Sequence, residues 1–117
     1  MSEIGTDRAA VDAFATAVGR LEARLRVLGP RWAAARRRDP EASAAEVSHV
    51  RALLAELEGA AASARGEAAH PVPELGEHAL ADVLAVLAHE LLEVTSEAAV
   101  AGLPALTDRV DEVRRAL

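Results

Sequence analysis

The amino-acid sequence predicts an all-α fold: one domain over residues 1–117, built as an antiparallel bundle of three long helices and a shorter C-terminal helix. Three observations carry this. Hydrophobic residues make up 51% of the chain but aromatics only 2%, so the core is built from Ala, Leu and Val, while the Tyr, Phe, Ile and Thr that strands favour are scarce. Apolar residues recur at alternating three- and four-residue intervals, the seam of helices that pack on helices. Gly and Pro clusters divide these stretches. A length of 117 residues suits a single core.

The first helix can be capped by Ser2 or Thr6, with Glu3 or Asp7 near its positive end. Its seam is Ile4, Val11, Phe14, Val18, Leu21, Leu25 and Leu28, flanked by Ala10, Ala15 and Ala17. Gly29-Pro30 is expected to stop it, because Gly suits a left-handed cap and Pro lacks a donor. Residues 31–38 then form a short helix or a kinked continuation. Asp39-Pro40-Glu41 reads as the next start, with Asp as cap and Pro in the first turn. The second helix carries Val47, Val50, Leu54, Leu57, Ala61 and Ala64 and frays through Ala60–Ala64.

Gly66, Pro71, Pro73 and Gly76 make residues 65–76 a loop. His78–Val94 is the densest apolar stretch. Leu80, Val83, Leu84, Leu87, Leu91 and Val94 share one face and continue to Ala98, whereas His78, Asp82, His89 and Glu93 fall on the other. This helix is expected to reach about Ala101. Gly102-Leu103-Pro104 breaks it, and Leu103, Leu106, Val110, Val113 and Leu117 form a last stripe about half as long as the others. A short fourth helix leaves part of the seam of the first three uncovered, and soluble proteins seldom expose such patches. A homodimer is therefore expected. The rival is a monomer in which residues 31–38 fold back and Trp32 covers the gap.

Charge is unevenly placed. Residues 1–58 hold 9 Arg and 9 acids, residues 59–117 hold 4 Arg and 10 acids, and the net charge is -6. Arg20, Arg24, Arg26, Arg31, Arg36, Arg37 and Arg38 face only Glu22. An up-down bundle would bring Arg20, Arg24 and Arg26 towards Glu90, Glu93 and Glu97, setting register more than stability. The arginine segment, with Arg24, Arg31, Trp32, Arg36, Arg37 and Arg38 as partner-binding candidates, reads as a protein contact. Nucleic acid is disfavoured by the acidic balance and the lack of any recognised motif.

No cysteine is present, which removes disulfides, thiolate zinc sites and thiol catalysis. No serine lies in a nucleophile-elbow context and no Gly-rich phosphate loop occurs. No residue is assigned to catalysis, no cofactor is expected, and neither a leader nor an apolar run of membrane-spanning length is read, so the expected location is cytoplasmic. The sequence thus points to a small helical interaction or adaptor protein, with a homodimer and an unidentified protein partner. The alternative is a metal-dependent bundle enzyme using His49, His78, His89 and Glu93. Glu46-x-x-His49 has the spacing of di-iron carboxylate bundles, which repeat that motif on two helices; here it occurs once.

Overall fold

A computed structural model describes residues 7–97 and 99–117. Among the described residues there are four α-helices and no strand: α1 (Arg8–Arg38), α2 (Ala44–Arg65), α3 (Leu80–Thr95) and α4 (Leu103–Arg115), with a single 3-10 turn, Glu77–Ala79, leading into α3. The cap candidates Ser2 and Thr6, with Glu3, the seam residue Ile4 and the α3 stripe position Ala98, lie outside the described residues. Asp7 stands at the N-cap of α1 without a side-chain cap bond.

The all-α class agrees with the expectation, but the division of lengths does not. The helices have 31, 22, 16 and 13 residues, so one long helix is accompanied by progressively shorter ones. Two corrections explain this. Gly29 and Pro30 do not stop α1, which passes through both. Pro30 is exposed, where water can satisfy the carbonyl freed at Arg26. Two residues on, Trp32 is buried in the core at 6% exposure. Burial of so large a side chain offsets a helix-propensity penalty of about 3 kcal/mol for Pro. Residues 31–38 therefore extend α1 and do not fold back.

Helix α3 ends at Thr95, short of the expected Ala101, where Thr95 and Ser96 hydroxyls donate to the Leu92 and Glu93 carbonyls at 2.6 and 2.7 Å. The start of α2 is also displaced. Asp39 closes α1 and accepts the Glu41 N–H at 3.0 Å, the local bond that suits Asp to turns. Ser43, at φ 59°, then opens α2.

The topology follows from a few contacts. The start of α3 is held against the C-terminal half of α1 by an Arg26–Asp82 ion pair at 3.1 Å. The Glu77 carbonyl before it lies against Gly29, three residues further along α1, so the contacts step back along α1 as the chain advances into α3. Thus α3 is antiparallel to α1. The expected docking of Arg20, Arg24 and Arg26 on Glu90, Glu93 and Glu97 is not formed: Arg26 pairs with Glu22 and Asp82, and Arg24 donates to the Leu117 carbonyl at 3.0 Å. That last bond places the end of α4 beside the middle of α1, so α4 runs back up alongside it. Helix α1 packs on α3 and α4, and α2 packs on the same two. Arg109 of α4 reaches Glu56 of α2 at 3.2 Å as well as Glu112 at 3.0 Å.

Between these helices Phe14, Leu21, Leu25, Leu53, Leu57, Leu84, Leu91 and Leu103 are almost wholly removed from water. Such burial contributes about 1.5–3 kcal/mol per large side chain before chain entropy is counted. The seams that suggested a bare face are therefore largely closed within one chain.

Candidate functional site

An open feature is made by the segment between α2 and α3. Gly66, at φ 71°, reverses the chain, and the Gly66 and Glu67 N–H groups donate to the Ser63 and Ala62 carbonyls at 3.1 and 2.9 Å. Only Gly adopts this conformation freely, which is why it caps helices so often. The segment then returns along α2. The His70 N–H donates to Glu58 Oε1 at 3.2 Å, and Arg51 donates to the Leu75 carbonyl at 2.6 Å. Pro71 and Pro73 favour an extended path over helix. Because this strap carries the chain back, α3 starts beside the first half of α2 and runs parallel to it.

Strap, α2 and α3 enclose a cleft of about 540 Å³. Ala62 from α2, Val72 and Leu75 from the strap, and Val83, Val86 and Leu87 from α3 give it an apolar lining. Val86 is 58% and Leu75 48% exposed. Glu58, Glu67, Asp82 and Glu90 stand around it, with Arg65 and His70 as the basic members. Concavity, an apolar lining and a few polar groups at the edge are the marks of a binding surface.

The other side of the α3 entrance is closed. A Cβ built on Gly29 would lie 2.8 Å from the Glu77 carbonyl oxygen and 3.3 Å from the His78 Cα. Gly29 is thus a close-approach glycine within α1, not a cap. Arg36 bonds to Glu77 there. The Glu77 backbone N–H, helped by the Arg36 guanidinium, holds the Glu77 carboxyl below its usual range against partial desolvation.

Of the metal-ligand candidates His49, His78, His89 and Glu93, the structure pairs only His89 with Glu93. His49, on α2, and His78, in the 3-10 turn, are exposed. His89 and Glu93 form a 2.9 Å pair on the outer face of α3, with both side chains more than half exposed. Among the described residues no group of three or more His, Asp or Glu side chains could hold a metal ion. In the arginine segment, Arg24, Arg26 and Arg36 are engaged within the chain, Arg31, Arg37 and Arg38 are exposed, and Trp32 is core.

No family model, curated protein or solved structure matches this chain. The cleft therefore rests on its geometry alone. Its sequence signal is small: Val72 and Leu75, two large apolar residues inside a breaker-rich loop, and Val86 off the main stripe of α3. No helix among the described residues is long and apolar enough to cross a membrane.

Proposed function

We propose that this chain is a small helical interaction protein that acts as a homodimer and presents the cleft between α2, the strap and α3 to a protein surface. The observation that carries the reading is the cleft itself: about 540 Å³, lined by apolar side chains and bordered by four carboxylates. Val86 and Leu75 lose exposed apolar surface when a partner covers them, worth about 25 cal/mol per Å² buried. The carboxylates contribute orientation and partner choice more than affinity. No nucleophile or metal cluster enters the reading, and the work it assigns is recognition.

Sedimentation velocity on untagged protein from micromolar to hundreds of micromolar tests this directly. A concentration-dependent dimer that is lost in Val86→Asp is the expected result. A wild type that stays monomeric throughout would refute self-association, and a dimer indifferent to Val86→Asp would place the contact elsewhere.

A further inference from the structure

We infer that the cleft is filled by the exposed Val27 face of α1 from a second copy of this chain; the inference rests on the interaction reading above. Three large apolar side chains are exposed among the described residues: Val27 at 49%, Leu75 at 48% and Val86 at 58%. Two of them belong to the cleft. The third stands on α1 between arginines, since Arg20, Arg24 and Arg31 lie seven and three residues before Val27 and four after it. All of these intervals return to the same side of a helix.

The charges are complementary. Val27 is an apolar point with cations on either side along the helix axis, and the cleft is an apolar hollow whose border carries four carboxylates against one arginine, Arg65. Asp82 and Glu90 are eight residues apart on α3, about 12 Å at the rise of an α-helix, and Glu58 and Glu67 stand across from them. Asp82 already pairs with Arg26. Glu67 and Glu90 have no ion-pair partner among the described residues, nor have Arg20 and Arg31. A small lipophilic amine, with one charge, meets only one end of this border. A helix with arginines before and after an apolar residue meets both, and this chain carries such a helix. Reciprocal seating of each α1 face in the other copy's cleft forms a two-fold dimer whose contacts are satisfied in both directions.

A charge exchange tests the assignment. One variant carries Arg20→Glu with Arg31→Glu, the other Glu67→Arg with Glu90→Arg, and circular dichroism verifies that both are folded. Each alone is expected to dimerise at least tenfold more weakly than wild type by sedimentation velocity. An equimolar mixture is expected to recover the dimer, because each reversed surface then meets an opposite charge. An α1 variant that dimerises like wild type, while Val86→Asp is monomeric, overturns the α1 occupant and leaves the interaction reading standing. Failure of the mixture to recover, with both variants folded, also overturns it. A monomeric wild type whose Val83 and Val86 methyl resonances shift with a lipophilic amine assigns the cleft to small cations and refutes both readings.

Discussion

The two sides of the α3 entrance differ in how a helix meets the chain that approaches it. On the α1 side, Gly29 lets the Glu77–Ala79 turn come within backbone contact, and Trp32 and the Arg36–Glu77 pair lie one and two turns beyond. On the α2 side, the strap is held at two points, Glu58 and Arg51, and between them it stands off far enough to leave the cleft. Both regions join irregular chain to a helix. The difference is side-chain size at the contact: a residue without a side chain permits closure, whereas Val and Leu around two proline positions keep surfaces apart.

Truncating one large apolar residue on each side should give the widest separation. Trp32→Ala is expected to cost about 3–5 kcal/mol in urea unfolding, as for other buried aromatics, whereas Val86→Ser, measured dilute, should stay within about 0.5 kcal/mol of wild type. Similar costs at the two positions would mean that the cleft is as tightly packed as the α1 side.

Glycine substitutions sharpen the contrast through a change of sign. Ala is the better helix former by about 1 kcal/mol, and an added Cβ at Gly19 meets nothing within 4 Å. Gly19→Ala should therefore raise stability by about 0.5–1 kcal/mol. Gly29→Ala should lower it by about 1–3 kcal/mol, because the obstacle is backbone and cannot rotate away. Thermal melts of the two variants decide this, and two stabilised proteins would remove the close approach from the account.

The smallest effect is electrostatic. Glu77 has its carboxyl pKa lowered below the ordinary 4.5, so at acid pH the unfolded state binds its proton first. Its contribution is complete above about pH 4.5 and is lost as pH falls through the folded value. Wild type should thus exceed Glu77→Gln in stability at neutral pH, and the gap should narrow below that range. A gap constant from pH 7 to pH 3 would mean that the carboxylate charge contributes nothing.

Much of the core was legible in the residues. The spacing of Phe14, Val18, Leu21 and Leu25, of Val50, Leu54 and Leu57, and of Leu80, Leu84 and Leu91 marks the buried faces, because a helix repeats its direction every 3.6 residues whatever it packs on. The cleft was hardly legible. Its lining comes from α2, the strap and α3, far apart in sequence, and Val86 on its own looks like an ordinary exposed valine. The arginine segment misleads for a related reason: its residues are adjacent in sequence, but Trp32 turns inward while Arg31, Arg37 and Arg38 turn out.

Composition and periodicity by themselves determined an all-α chain, the apolar faces of its helices and the breaker-rich character of residues 65–76. Tertiary structure decided that α1 continues through Gly29-Pro30, that α3 runs against α1 and beside α2, and that a cleft stays open under the strap. The physical reason is the range of the forces involved. Periodicity and turn chemistry act within a few residues. Passage of a helix through proline, or the direction in which a loop returns, depends on burial of Trp32 and on contacts such as Arg26 with Asp82, formed only when distant segments meet.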